Sequence, residues 1–523
     1  MRWPPSRELE MDMALGAGPN SALLPPPVMR HEPGHSGPQP APGVQAVFGE
    51  IHVEVQSDLD QGGGRGHLPD REAGSLGGVA RGGALNLVAA VVYGAANFAL
   101  LWVLNHELGT ETAGVALVAI AAFNILARVA ELGSATGLIR WISRLRAVHA
   151  VDVIPKMMAV SLVPVVGISL LFAWLMGAQS TWLADLFANG TGVPQLARVF
   201  LALAPLLPLA VIETVLVSST RGYEVMWPQA VIEKIGRALL LPVVVLLTTR
   251  LGGDVVAVAR VWALTNLVAL IPAVVVSRRL LQAARLTPDE PRMASVASGA
   301  DSPHGGPSFD RTSWPAIAKA FWAFSAPRAA GQTFEVSIAW IDTLLVSALV
   351  STQAAGVYAS GTRYVVIGAF ISEAIMQVVG PRVSSLMARH RGRATSHLVR
   401  TAAGWQTALT WPIYLVTIGF APVLLGVFGP EVLAAQGALI ALSLGLMVFS
   451  LFGPAGSVIL MGGKSSQAMG NAGIAVVFNL VGNLVLIPRL GITGAGVIWA
   501  LTLVLLVVLP AWQAHQRMGL NII

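Results

Sequence analysis

The sequence predicts an all-α, polytopic membrane protein: about twelve transmembrane helices in two parallel-repeat six-helix lobes around a central cavity. Three observations carry this. Charged residues make up 11% of the 523-residue chain and hydrophobic residues 54%, whereas a soluble domain carries roughly 25% charge. Apolar runs of membrane-crossing length follow one another from residue 84 to residue 512. The two halves of that series share landmarks in matching order.

Residues 1–80 stand apart. They are rich in Pro, Gly and Ser, with Pro25-Pro26-Pro27 and Gly62-Gly63-Gly64, and hold no apolar run long enough for a signal peptide or a span. A disordered cytosolic tail is expected, with a weak strand-like alternation over 46–56. A helix needs about 20 apolar residues to cross the hydrocarbon core. That rule places an N-lobe at 81–279, with spans at 84–104, 113–136, 157–178, 197–219, 229–249 and 255–277. A polar stretch at 280–318, including SVASGADSPHGGPSFD, reads as a flexible cytosolic linker. The C-lobe follows at 319–523, with spans at 325–350, 355–380, 402–427, 433–460, 467–488 and 492–512.

Basic residues set the expected orientation. With the N-terminus inside, the inside loops carry Arg140, Arg144, Arg146 and Lys156, then Arg278, Arg279 and Arg285, then Arg382, Arg389, Arg391 and Arg393. The outside loops carry little beyond Arg250 and Arg489. This positive-inside pattern puts both termini in the cytosol and accounts for the net charge of +6 without nucleic-acid binding.

The internal repeat rests on two words. Ala113-Gly114-Val115 returns as Ala355-Gly356-Val357, an offset of 242 (356 − 114), and the same shift carries Glu131 onto Glu373. Trp262-Ala263-Leu264-Thr265 in the sixth span returns as Trp499-Ala500-Leu501-Thr502 in the twelfth. Six spans per half make the repeats parallel, an arrangement that holds substrate between the halves in transporters.

Charge inside a span costs at least ~2.5–3.5 kcal/mol near the helix centre, so its distribution is informative. Spans nine to twelve hold essentially none. The second, seventh and eighth hold Arg128, Glu131, Arg328, Glu335, Asp342, Arg363 and Glu373. Arg328, Glu335 and Asp342 are seven and seven apart, one stripe of a helix, with Gln332 and Thr333 near the same side. Counting depth at 1.5 Å per residue pairs Asp342 with Arg363 in the outer half and Arg128 with Glu335 across the cleft. Arg328 is then left to reach Glu131 or Glu373 near the cytosol. Each pair has a competing reading as a simple stitch between helices; a polar cavity explains the clustering on three spans directly.

Other polar residues carry weaker expectations. Glu213, Glu233, Lys234, Arg237 and Arg260 lie in the fourth to sixth spans, and Glu233, Lys234 and Arg237 are expected to snorkel at the cytosolic end. Asn479 and Asn483 share a helix face and form a candidate cation site with Thr502, against an interhelical hydrogen bond as the commoner arrangement. His149, His390 and His397 fall in loops. There is no cysteine, which excludes disulfides and thiolate chemistry. No phosphate-cradling Gly-rich loop with Lys-Ser/Thr and no HExxH are present. No enzymatic activity and no bound cofactor are expected, apart from coupling to a proton or sodium gradient.

Three passages carry a family likeness: ETAGVALVAIAAF with ELGSATGLIRWIS, AWIDTLLVSALVSTQAAGVYASGTRY, and NLVGNLVLIPRLGITGAGVIWAL. Over about residues 80–515 the chain resembles the O-antigen-type polysaccharide flippases of the multidrug/oligosaccharidyl-lipid/polysaccharide exporter superfamily. The long tail and the long middle linker depart from that pattern. The resemblance implies a V-shaped pair of lobes, with spans one, two, seven and eight lining the cavity. It implies an undecaprenyl-pyrophosphate-linked glycan as substrate, flipped across the bacterial cytoplasmic membrane by alternating access, with membrane lipids, a polysaccharide polymerase and chain-length machinery as partners. Arg128, Arg328 and Arg363 would hold the headgroup, and Glu131, Glu335, Asp342 and Glu373 would poise them. The alternatives are a cation- or proton-coupled multidrug exporter of the same superfamily, and a membrane polysaccharide polymerase, ligase or acyltransferase. The third is disfavoured by the short outside loops.

Overall fold

The structure is a computed structural model and describes residues 70–148, 150–188, 192–286, 313–388, 391–453, 458–459 and 465–519, with side chains from residue 88 onward apart from those of 377, 378, 381, 388, 465, 517 and 518. The expected tail and its 46–56 strand, most of the linker, and His149 and His390 lie outside the described residues. Among the described residues there is no strand.

The first two expected spans form α1 (Asp70–Ala130), two helical arms broken at Gly109, whose φ of 77° and ψ of 159° suit glycine alone without strain. The break falls where the sequence placed the connection, between residues 104 and 113. The chain continues through α2 (Ser134–Ala147), α3 (Ile154–Ala178), α4 (Ser180–Phe187), α5 (Gly192–Leu203) and α6 (Leu207–Ser219). A π-helical segment (Gln229–Arg237) runs into α7 (Ala238–Arg250), and α8 (Val255–Leu286) closes the first half. The second half comprises α9 (Trp314–Leu349), α10 (Thr352–Gly361), α11 (Val366–Ala388), α12 (Gly392–Gly419), α13 (Ala421–Gly426), α14 (Gln436–Phe452), α15 (Ser465–Leu490) and α16 (Ile492–Met518). Helices α8 and α9 therefore take both ends of the expected linker.

Among the described residues, every expected span falls mainly on helix. Eight stretches among the described residues are long and apolar enough to cross a membrane, and the first, Val88–Ala147, runs through two expected spans. The expected fifth, seventh and ninth spans fall outside that set. The fifth carries Glu233, Lys234 and Arg237, and the seventh Arg328, Glu335 and Asp342. Prolines inside α3, α7, α8, α9 and α12 are tolerated because neighbouring helices satisfy the freed backbone groups.

The repeat landmark is where the halves meet. Gly114 on α1 lies against Gly356 on α10. A Cβ on Gly356 would stand 2.6 Å from the Thr110 carbonyl oxygen and 2.9 Å from the Gly114 Cα, and one on Gly114 would stand 2.7 Å from the Thr352 carbonyl carbon. Small residues let helix backbones approach this closely in a membrane. Hydrogen bonds flank the crossing: Asn105 donates to Ser360 Oγ at 2.8 Å, and Gln353 donates to Thr110 Oγ1 at 3.5 Å. Thr110 donates to Glu431, and Ser347 to the Phe187 carbonyl. At the opposite, arginine-bearing end, Gln332 donates to Thr136 Oγ1 at 2.8 Å, and the Arg140 guanidinium sits 4.0 Å from the Phe324 ring centroid.

Candidate functional site

Between these two sets of contacts lies a cavity of about 290 Å³, at the lower end for ligand pockets. Its polar wall comes from both arms of α1 (Tyr93, Asn97, Asn124, Arg128, Glu131), α6 (Thr214), the π segment (Glu233, Arg237), α8 (Asn266) and Arg363. Val336 and Trp340 of α9 close one side. Three arginines face two glutamates, a net of +1 (3 − 2). Arg128 donates to Glu131 at 2.9 Å, yet its side chain keeps 40% of its surface while Glu131 keeps 4%. The pair is buried on the acid side and open on the arginine side. Arg237 Nε donates to Thr265 Oγ1 at 3.3 Å, and its guanidinium lies 5.8 Å from the Trp262 ring centroid. Arg363 Nε is buried without a hydrogen-bond partner among the described residues.

Arg328, Glu335 and Asp342 of the expected α9 stripe are not among the residues that line this cavity. Glu335 lines a second cavity of about 310 Å³ in the other half, with Asn471 of α15 and Leu506 and Pro510 of α16. Asn471 and Gln513 exchange amide hydrogen bonds beside it at 2.8 and 2.9 Å. Asp342, 3% exposed, accepts from Asn483 Nδ2 at 2.7 Å and from the Tyr358 hydroxyl at 3.4 Å. Asn483 also donates to Asn479 Oδ1 at 3.1 Å, and Asn479 donates to Thr502 Oγ1 at 3.3 Å. The candidate cation site and the deepest acid of the stripe are thus a single buried cluster spanning α9, α10, α15 and α16.

Three expected pairings are corrected. Asp342 does not pair with Arg363: the arginine sits in a 3-10 turn (Thr362–Val365), whose tighter winding changes the direction of its side chains, and it lines the first-half cavity. Arg128 pairs with Glu131, three residues away, rather than with Glu335. A local i,i+3 neighbour needs no second helix to bring it close. Arg328 is half-buried near the arginine-bearing end, and among the described residues no ion pair joins it to Glu131 or Glu373. Glu373 instead has Lys234 at 3.6 Å.

Glu233, Lys234 and Arg237 were expected to snorkel; Glu233 and Arg237 line the cavity, and Lys234 reaches across to α11. The cause is the π-helical winding of Gln229–Arg237, a geometry found mostly at functional sites and invisible to 3.6-residue counting. The usable signal was three charges within five residues, opposite Glu213 on the preceding antiparallel span.

The buried amide cluster makes a stability prediction. Asn483→Leu strips Asp342 of its 2.7 Å donor, leaving a buried acceptor unsatisfied at a cost of about 1–3 kcal/mol. Thermal unfolding of the detergent-solubilised variant should start several degrees below wild type; an unchanged transition would remove the structural importance of this bond.

The polysaccharide biosynthesis protein family matches residues 79–387, more than half of the chain. A curated relative, the probable low-salt glycan biosynthesis flippase Agl15 of Haloferax volcanii, is 27% identical over 180 residues. That alignment covers 33% of this chain and only 37% of the relative. Among solved structures, the lipid II flippase MurJ in an inward closed conformation superposes with a TM-score of 0.61 at 12% identity, over 82% of this chain and 87% of that one. An inward-facing multidrug resistance MATE family transporter of the MOP superfamily gives 0.56 at 18% identity, over 84% and 98%. At such identities the likeness shows the fold alone. With the family match over residues 79–387, the chain is a multi-pass membrane protein that belongs to the polysaccharide biosynthesis protein family.

Proposed function

We propose that the chain flips a lipid-linked oligosaccharide, an undecaprenyl-pyrophosphate-linked glycan, across the cytoplasmic membrane by alternating access during cell-surface polysaccharide export. The observation that supports this most directly is the cavity wall at the seam of the halves, where Arg128, Arg237 and Arg363 outnumber Glu131 and Glu233. Guanidinium groups bind phosphate oxygens in bidentate fashion. Arg363 has a buried donor to spare and Arg128 an exposed face. The polar Tyr93, Asn97, Asn124 and Asn266 suit sugar hydroxyls, and the lipid tail stays in the bilayer. The cavity is smaller than an oligosaccharide, so the halves must separate at one end to admit it. In this reading the Gly109 end faces outside and both termini the cytosol, as the arginines predict. A polymerase and chain-length machinery would receive the product. The chain itself makes and breaks no bond.

The alternative cargo, a cationic drug, shares the fold, and fold alone does not choose between them. A net-positive cavity opposes it. In cells that need the flippase for surface polysaccharide, Arg363→Ala and Arg237→Ala should reach the membrane at wild-type level and leave the surface polysaccharide missing. Normal surface polysaccharide in both would sink the headgroup assignment.

We assign coupling to a monovalent cation to the second half. Asp342, Asn479, Asn483 and Thr502 offer oxygen donors, and Asn483 Oδ1 is buried without a partner among the described residues, which fits a hard cation. Sodium should raise the melting temperature of the wild type and not of Asp342→Asn. Equal shifts in both would remove the site.

A further inference from the structure

Glu335 has no part in the arginine cavity. It lines the second-half cavity of about 310 Å³, and no basic residue among the described residues lines that cavity with it. Among the described residues Glu335 makes no ion pair. It is exposed, whereas Asp342 on the same helix is buried. An ionisable group within a span that has no charged partner belongs to a water-filled space. The other polar residue of the wall is Asn471, whose paired amide bonds with Gln513 leave one lone pair of its oxygen free.

The cavity and the Asp342 cluster are built by the same three helices, at matching steps. Helix α9 gives Ile338 to the cavity and Asp342, four residues on (342 − 338), to the cluster. Helix α15 gives Ala472 to the cavity and Asn479, seven residues on (479 − 472), to the cluster. Helix α16 runs the other way, giving Leu506 to the cavity and Thr502, four residues earlier (506 − 502), to the cluster. At 1.5 Å per residue these steps are about 6, 10 and 6 Å. All three place the cavity one to two turns from the cluster, on the side away from Leu349 and the crossing at Thr352. Beside Glu335 the helices touch: a Cβ on Gly473 would stand 3.3 Å from the Phe334 ring. On the path between, α15 offers only the small, buried Ala475, and α9 the bulkier Ile338, 7% exposed.

From this stacking we infer that the second-half cavity is the vestibule through which a monovalent cation passes between the Asp342 cluster and the cytosol, with Glu335 drawing the cation in and Ile338 as the barrier it crosses. A cleft lined by one sign of charge concentrates the opposite ion, and an apolar constriction gates by excluding water. The cavity has room for several waters, so the ion stays partly hydrated until it reaches the oxygens of Asp342, Asn479, Asn483 and Thr502. The carboxylate that sequence reasoning gave to the headgroup thus serves the ion instead.

This inference rests on the reading of the cluster as a cation site, and its test separates the two. The chain has no cysteine, so Leu506→Cys puts a single thiol in the cavity, and Ala472→Cys repeats the measurement from α15. Each is treated with a cationic and an anionic thiosulfonate of similar size, in inverted membrane vesicles and in spheroplasts. Reaction should be confined to inverted vesicles, where the cytosolic side is outermost. Adding Glu335→Gln should lower the cationic-to-anionic rate ratio by about tenfold, the low end of focusing by a charged cleft. Thiols that neither reagent reaches would mark the cavity as lipid-filled and overturn the proposal. Reaction from the spheroplast side alone, or a ratio indifferent to Glu335→Gln, would overturn it too. Passage itself is read from the release of bound radioactive sodium by purified wild type, Ile338→Ala and Ile338→Phe. All three should hold the same amount at saturation. Release from Ile338→Phe should be slower than from Ile338→Ala by about tenfold or more, ~1.4 kcal/mol of barrier. Equal release rates would overturn the vestibule and leave the cluster standing. If wild type retains no sodium, the cluster is not a cation site, and the vestibule falls with it.

Discussion

Gly114→Ala is expected to drive the two halves apart at the Gly109 end. The added methyl has no room: it would stand 2.7 Å from the Thr352 carbonyl carbon, a backbone atom that cannot rotate away. Overpacking of this kind costs about 1–3 kcal/mol, and 1.4 kcal/mol is tenfold in an equilibrium. The arrangement in which α1 touches α10 should therefore lose population by about fivefold to a hundredfold. Gly356→Ala should do the same from the other side, because its Cβ meets the Thr110 carbonyl oxygen and the Gly114 backbone. The chain contains no cysteine, so spin labels can be placed by single substitutions. Labels at the exposed Leu251, in the turn after α7, and Leu490, the last residue of α15, should report a longer distance in both glycine variants. Unchanged distances would mean that the crossing is a passive contact.

Arg363→Ala is expected to cost the cavity its anion. A hydrogen bond to a charged group contributes about 1.5–3 kcal/mol, which at 1.4 kcal/mol per decade is about tenfold to a hundredfold in binding. Arg363 is the cavity arginine with a buried, unpartnered donor, so its guanidinium is the least committed within the protein. Arg128 already has Glu131, and Arg237 has Thr265 and the Trp262 ring. The loss should be larger for Arg363→Ala than for Arg128→Ala, where truncation also frees Glu131. Arg363→Lys should recover part of it, since a lysine keeps the charge and gives up the bidentate fork. The check is pyrophosphate titration of the three purified variants. Equal affinities in wild type and Arg363→Ala would contradict the assignment.

The helices were legible because the membrane leaves a chain few options. Backbone groups in hydrocarbon must be satisfied within the segment, and apolar length then marks each span. The repeat was legible too, and its Gly114–Gly356 landmark turned out to be the point of contact between the halves. Glu335 and Asp342 of the stripe both meet α15, through the second cavity and through Asn483. Its direction was not legible, because depth along a helix axis says nothing about rotation around it. Asp342 and Arg363 do lie on adjacent helices, yet they face opposite halves. The 3-10 turn at Thr362–Val365 and the π segment at Gln229–Arg237 break the 100° step on which face arguments depend. That hid Arg363's direction, and it hid the roles of Glu233 and Arg237 altogether. The link between Asp342 and the asparagines of α15 joins residues 141 positions apart, and no local pattern encodes such a contact.

The central claim is that the arginine cavity carries a pyrophosphate-linked glycan across the bilayer. The most direct measurement is flipping in liposomes holding the purified protein and a fluorescent undecaprenyl-pyrophosphate oligosaccharide, read by a quencher confined to one side. Wild type is predicted to expose the label from both leaflets, and Arg363→Ala to leave the initial leaflet asymmetry in place. Flipping by Arg363→Ala at the wild-type rate, or no flipping by wild type in liposomes where a cationic dye is transported, would contradict the account.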